Sequence, residues 1–271
     1  ARFILSNLAG FDPEKHMVPT EQMTELDLWA LSSLNRLVEK AHEGYNSFDF
    51  HVVYHAVHNF CVLDMSNFYL DILKDRLYCD EENSPARRSA QSAMYLILSV
   101  LTRLVAPILA FTSEEIWASM PHTKEEDTES VLFNEIPKGL EIHIGEEFLA
   151  KWDRIHLLRD EVNKALEQKR NEKMIGKSLE AKVVLHCTGE LSAFVQENLS
   201  DLVTAFIVSQ VEVQEGQGDF QTEIDGLTIT VCKADGQKCE RCWTYDTTVG
   251  QCEEHPTLCK RCAGVLESLS K

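Results

Sequence analysis

Lys238-Cys239-Glu240-Arg241-Cys242-Trp243, answered by Cys259-Lys260-Arg261-Cys262, is the stretch that decides how the end of this chain folds. It is two Cys-x2-Cys pairs with sixteen residues between them. Zinc takes four soft ligands in a tetrahedron. Each Cys-x2-Cys turn brings two thiolates to one side of an ion, and the intervening loop lets the second pair close the other side. The spacing predicts one structural Zn2+ on Cys239, Cys242, Cys259 and Cys262. Four thiolates leave no open coordination position, so a catalytic zinc is not expected. Cys252 and His255 lie in the intervening loop and remain open as substitute ligands. A module of about thirty residues buries little core, so the metal is expected to supply most of its folding free energy.

The 271 residues allow two or three compact units. At 44% hydrophobic and 26% charged, the composition is that of an ordinary globular chain. The five further cysteines (Cys61, Cys79, Cys187, Cys232 and Cys252) show no disulfide framework, which fits a reducing, cytoplasmic setting. There is no signal-peptide pattern. The most apolar stretch, 93–111, carries Arg103 and Pro107 and reads as a buried bundle helix, not a membrane span. The net charge of −18 argues against coating nucleic acid with the whole surface. The basic residues are concentrated, however. Residues 151–182 hold nine against six acidic, whereas 183–236 hold one against nine. A nucleic-acid contact should therefore be local.

Taken in order, residues 1–19 read as a linker with Pro13 and Pro19. Helical spacing then runs from a cap at Thr20 through Leu26, Trp29, Leu34, Leu37 and Ala41 to a stop at Gly44. A second helix is predicted from Asp49 to Leu77. Its His51, His55 and His58 share a face without a metal-binding acidic partner, so they read as polar-face or core histidines. Ser84-Pro85 opens a third helix, which Pro107 ends, and Thr112 with Glu115 is a capping box for a fourth. Residues 20–122 thus read as an antiparallel helical bundle. Residues 123–180 read as an acidic connector followed by a basic amphipathic helix over 148–173. That helix bears Lys151, Arg154, Arg159, Lys164, Lys169, Arg170 and Lys173, as a solvated face or a phosphate-contacting one. Residues 181–236 read as a small α/β unit, with strands at Ala181–Cys187, Phe206–Val213 and Leu227–Cys232 and a helix at Glu190–Asn198. The zinc module follows at 237–271. The expected class is mainly α: a helical bundle, a small α/β domain and a C-terminal four-cysteine zinc ribbon.

His143-Ile144-Gly145-Glu146 and Lys173-Met174-Ile175-Gly176-Lys177-Ser178 look like weak copies of the two ATP-handling motifs of class I aminoacyl-tRNA synthetases. They lie too close together, and no alternating β-α run builds a nucleotide-binding sheet around them, so no ATP site is expected there. No catalytic constellation stands out elsewhere.

Three blocks and the closing cysteine pairs carry a broader resemblance. Asn67-Phe68-Tyr69-Leu70-Asp71-Ile72-Leu73-Lys74-Asp75-Arg76-Leu77-Tyr78 and the stretch from Leu104-Val105-Ala106-Pro107 to Glu115-Ile116-Trp117 resemble the helical anticodon-binding domain of the class I isoleucyl-, valyl- and leucyl-tRNA synthetases. The block from Leu158-Arg159-Asp160 to Ala181-Lys182-Val183 is similar to the region just downstream. The closing cysteine pairs resemble the terminal zinc module of the bacterial isoleucyl branch. The resemblance implies a region that grips the anticodon stem and loop of tRNA-Ile. Isoleucine ligation with ATP and Mg2+, and editing, would belong to domains N-terminal to this sequence, so no catalytic residue is expected here. It also implies a monomer without DNA or membrane partners.

Single-stranded loops are read by stacking bases on aromatic planes and by hydrogen bonds to base edges. Trp243 is accordingly the candidate base-stacking residue, and Arg241 the candidate base-edge or phosphate contact. Lys238, Lys260 and Arg261 are candidate phosphate contacts. A competing reading packs Trp243 over the zinc as the module's small core. Two other functions remain as alternatives: a DNA-binding zinc module like that of the formamidopyrimidine-type DNA glycosylases, and a zinc-stabilised protein-interaction domain.

Overall fold

The computed structural model describes residues 1–269. The chain forms two compact units, one over Ala1–Ile144 and the other from Gly145 onward.

The first unit is helical. Its elements are α1 (Arg2–Asn7), α2 (Pro13–His16), α3 (Glu25–Asn46), α4 (Phe50–Asn59), the short α5 (Leu70–Ile72) and α6 (Lys74–Cys79), α7 (Pro85–Val105) and α8 (Ala110–Trp117). Apolar residues recur every three or four positions along α3 and α7, which packs Trp29, Leu34, Val38 and Ala41 against the Met94, Leu98 and Leu104 side. Several expectations shift. Residues 1–19 are not an open linker, because Ile4, Leu8 and Phe11 are buried and α1 and α2 pack on α7. The cap of α3 is Thr24, not Thr20. Gly44 does not end α3, which runs on to Asn46. A Cβ there would lie 2.7 Å from Cγ2 of Val53, so the glycine lets α4 approach closely. The expected single helix over 49–77 widens to π-type winding at Phe60–Tyr69, which turns Phe60, Met65, Phe68 and Tyr69 inward. Ser84 caps α7 by accepting the Arg87 N–H at 3.2 Å, as read from the sequence. No capping box forms at Thr112, since α8 already starts at Ala110. His51, His55 and His58 are exposed on α4.

Asp27, in the first turn of α3, is fully buried. Its carboxylate accepts from Tyr69 Oη at 2.6 Å, Arg76 Nη2 at 2.9 Å, Ser89 Oγ at 2.5 Å and Thr24 Oγ1 at 2.8 Å. One carboxylate thereby ties α3 to α6, α7 and the turn before α5. Burial and the adjacent Asp27 charge push the Tyr69 phenol well above its usual range. A buried charge pair holds only while both partners and their hydrogen bonds are present.

The second unit starts with α9 (Glu146–Asn171). It continues through β1 (Ala181–His186), α10 (Gly189–Glu197), α11 (Leu199–Phe206), β2 (Gln210–Gln214), β3 (Phe220–Gln221) and β4 (Thr228–Lys233). The zinc-module elements are β5 (Gln237–Lys238), β6 (Tyr245–Asp246) and α12 (Lys260–Leu269). The sheet order is β2-β1-β4-β3, with β1 and β2 parallel and the other pairs antiparallel. Trp152, Ile155, Leu158, Val162 and Leu166 of α9 are buried, and α9 packs on α11 and β4. Phe206 ends α11 and does not open a strand. Ile207 takes a left-handed φ of 55° as that helix's C-terminal cap, so β2 starts only at Gln210. Among the described residues no helix is long and apolar enough to cross a membrane.

Replacing Asp27 by Asn keeps the size but removes the buried carboxylate that pairs with the largely buried Arg76 guanidinium. Thermal or denaturant unfolding should show the helical unit destabilised by about 3–5 kcal/mol. Unchanged unfolding would mean that the network contributes nothing to stability.

Candidate metal centre and nucleic-acid interface

The Sγ atoms of Cys239, Cys242, Cys259 and Cys262 lie within 4.8 Å of one another, and all four residues are buried. The Cys242 and Cys259 sulfurs are 3.8 Å apart. Zn–S bonds of about 2.3 Å in a tetrahedron place sulfurs roughly 3.8 Å apart, so the donor set has the chemistry and the size for one Zn2+. Cys252 and His255 stand outside the cluster, and the Cys252 sulfur is 4.0 Å from a Glu267 carboxylate oxygen.

The first knuckle is held by its own backbone. The Trp243 N–H donates to the Cys239 carbonyl at 2.9 Å, and the Cys239 N–H donates to the Thr244 carbonyl at 2.9 Å. Burial resists ionisation of Cys239, but the backbone N–H groups of Cys242, Cys259 and Arg241 hold its thiol down at about 6. Burial pushes Cys259 and Cys262 the other way, reinforced by the charge of Cys242. Four thiolates at this spacing repel one another and need a cation between them.

The closing turn of this knuckle gives Trp243 a left-handed φ of 67°. For a bulky residue that is a strained conformation which glycine would adopt freely. Trp243 is 52% exposed, so it is not buried as the module's core. Lys238 Nζ lies 5.5 Å from the ring centroid and Lys177 Nζ lies 5.0 Å from it, both within cation–π reach. Arg241 directs Nη1 at the Cys262 sulfur, 3.7 Å away, so part of its donor set serves the cage. Lys260 and Arg261 are exposed in the first turn of α12. The structure thus brings Lys238 to Trp243 and Arg241 to a cage cysteine, and places Lys260 and Arg261 beside the ligand Cys259. It also adds Lys177, which sequence reasoning did not select.

The basic face of α9 is largely neutralised within the protein. Lys151 pairs with Asp201 at 2.8 Å, Lys164 with Glu161 at 2.7 Å and Lys169 with Glu172 at 2.9 Å. Arg154 covers the Phe194 ring, and Arg159 is buried and donates to the Ala205 carbonyl.

The zinc module is fixed to the α/β part of its unit. The Tyr245 N–H donates to Ser209 Oγ at 2.8 Å, and Gln210 exchanges hydrogen bonds with the Asp235 backbone at 2.9 and 3.1 Å. Gly236 is required at the start of the β5–β6 hairpin. Its φ is +89°, and a Cβ there would fall 2.4 Å from the Asp246 carbonyl carbon.

A family model described as the anticodon-binding domain of tRNA ligase matches residues 27–185. The chain belongs to the anticodon-binding domain family of tRNA ligases. A second model, a zinc finger found in FPG and IleRS, matches residues 236–264 and so contains all four cage cysteines. In this family the chain is similar to proteins named "Isoleucine--tRNA ligase". It is 48% identical to that of Syntrophotalea carbinolica over 269 residues, which is 98% of the chain and 29% of that protein. It is 46% identical to that of Caldanaerobacter subterraneus subsp. tengcongensis, over 100% of the chain and 30% of that protein. For the Geobacter sulfurreducens protein the identity is 47%, over 98% and 29%. The chain thus spans under a third of the length of these curated relatives.

Chelating the metal, or replacing Cys259 by Ser, is expected to open the module. Limited proteolysis should then cut within 237–269 while the helical unit survives. Full zinc content in the Cys259→Ser protein would remove Cys259 from the cage. Acidification should release the metal, because protons compete for the sulfurs.

Proposed function

We propose that this chain is the tRNA-gripping region of an isoleucine–tRNA ligase. In this reading it holds the anticodon stem and loop of tRNA-Ile so that the acceptor end reaches active sites elsewhere in the enzyme. Ligation would take place there with ATP and Mg2+, in the cytoplasm. One Zn2+ on Cys239, Cys242, Cys259 and Cys262 would be structural. It would supply the rigid frame on which Trp243 stands.

The observation that carries this reading is the state of Trp243. A large aromatic residue is kept half exposed, in a backbone conformation suited to glycine, on a turn locked by the metal cage. Strain of about 1–3 kcal/mol persists where the surroundings over-determine it, and such sites cluster at binding surfaces. A single-stranded base stacks on such a plane, and the adjacent Lys238 answers its phosphate. Lys260 and Arg261 would extend the phosphate contacts, and Arg241 would both steady the Cys262 sulfur and reach the loop. The net charge of −18 opposes duplex wrapping and favours this local contact over a DNA-binding role.

Replacing Trp243 by Gly separates function from stability. The variant should keep zinc and be as stable as the parent or more so, since the strain is relieved. Its affinity for tRNA-Ile should fall by about 1–3 kcal/mol, the usual worth of one stacked base. A zinc-loaded Trp243→Gly protein that binds tRNA-Ile undiminished would end the stacking assignment.

A further inference from the structure

The second unit has an open cleft of about 700 Å³, whose wall includes Tyr245, two residues after Trp243, and Gly176, next to the Lys177 that reaches the Trp243 ring. Its wall is made by Arg170 near the end of α9, the loop 173–176, Glu180, Lys233 at the end of β4, and Gly236 and Tyr245 of the zinc-module hairpin. The loop is the Lys173–Ser178 stretch that looks like an ATP-handling motif and has no ATP-binding sheet around it. Here it is built into something else.

The loop is held from behind. Arg170 is paired with Glu167 and donates Nη2 to Ser178 Oγ at 2.7 Å. The Gly176 N–H donates to Glu180 Oε2 at 2.7 Å. Arg170 and Glu180 are therefore engaged in positioning the loop. Lys173 takes the left-handed cap position after α9, with φ 58°, where glycine or asparagine would cost less. Like Trp243, it is a non-glycine residue of this unit kept in that conformation. Ile207, the unit's other left-handed non-glycine residue, is a helix cap away from the cleft wall.

The charges are sorted. In a chain with 44 acidic side chains, Lys151, Lys164, Lys169 and Lys182 of this unit are ion-paired. Lys173, Lys177, Lys233 and Lys238 are exposed, and none of them is in an ion pair among the described residues. Two of the four line the cleft, and the other two stand over the Trp243 ring. Unpaired ammonium groups around a polar cleft, next to an exposed indole, match one nucleotide of a single strand: base on the aromatic face, phosphates on the lysines.

We propose that this cleft seats the sugar-phosphate of a splayed-out nucleotide of single-stranded RNA, with Lys173 and Lys233 on its phosphates, while its base stacks on Trp243 and displaces Lys177 from the ring. The inference rests on the tRNA reading above and extends it beyond the zinc module, into the loop after α9 and the end of β4.

The test uses the zinc-loaded chain and a Lys173→Gly, Lys233→Gln double variant. Both residues are exposed, and glycine suits the left-handed position, so the fold should be retained, as zinc content and circular dichroism will report. The probes are a tRNA-Ile transcript and a uridine heptanucleotide, each titrated across a range of salt. Trp243 is the one exposed tryptophan, since Trp29, Trp117 and Trp152 are buried, so quenching of tryptophan fluorescence reports stacking. The double variant should bind both probes about tenfold more weakly. Its log–log salt slope should fall by about 1.4, because each phosphate contact to a single strand contributes about 0.7. A variant with the parent's affinity and slope, in a protein where Trp243→Gly does lose binding, would overturn the cleft and leave the stacking assignment standing. A parent chain that binds neither probe would overturn both.

Discussion

Four thiol sulfurs within 4.8 Å of one another cannot all ionise without a cation among them. That constraint organises the end of the molecule. About thirty residues with little apolar core acquire a fixed shape only when the charge is neutralised from inside. The shape then fixes the turn after Cys242. The turn is closed by the Trp243 N–H on the Cys239 carbonyl, and it forces the left-handed backbone that leaves the indole facing outward. Metal chemistry, backbone strain and an exposed aromatic plane are one chain of causes. The hairpin that follows is bonded to Ser209 and Gln210, so the plane is carried on the α/β sheet and does not swing on a tether.

The same rule, that a buried charge needs its partner, recurs in the helical unit. Asp27 has no solvent, and its four hydrogen-bond donors come from positions as far apart as Thr24 and Ser89. Zinc lets the small module do without a large core, whereas the helical unit has an apolar core and uses its buried carboxylate to set which helix meets which. On the surface of the second unit the rule decides which lysines are available. Lys151, Lys164 and Lys169 along α9 are answered by carboxylates, as is Lys182, whereas Lys173, Lys177, Lys233 and Lys238 are not.

Much of this was legible in the sequence where a local rule had no competitor. The two Cys-x2-Cys pairs, the Ser84 cap, the long amphipathic stripes of α3 and α7, and the strand at 181–186 follow from spacing alone. The misreadings lie where tertiary contact overrides a local signal. Gly44 looked like a helix stop but is a packing site for Val53. Thr112 and Glu115 fit a capping box, yet Pro107 lets the next helix begin before them. Residues 1–19 have a linker's prolines, but Ile4, Leu8 and Phe11 are buried by α7, which sequence order does not reveal. At the candidate interface, Arg241 and Trp243 were found because they adjoin a ligand cysteine. Lys177 was not, because 66 positions separate it from Trp243, and only the fold brings its ammonium over the ring.

The measurement that tests the account most directly is a titration of the zinc-loaded chain with tRNA-Ile and with tRNA-Ile altered only in its anticodon, each repeated after chelation. If the metal cage presents Trp243 to the anticodon loop, binding weakens with the altered anticodon and weakens again without zinc. Once zinc is gone, the two RNAs become indistinguishable. Equal binding of both RNAs, with and without zinc, would contradict the account.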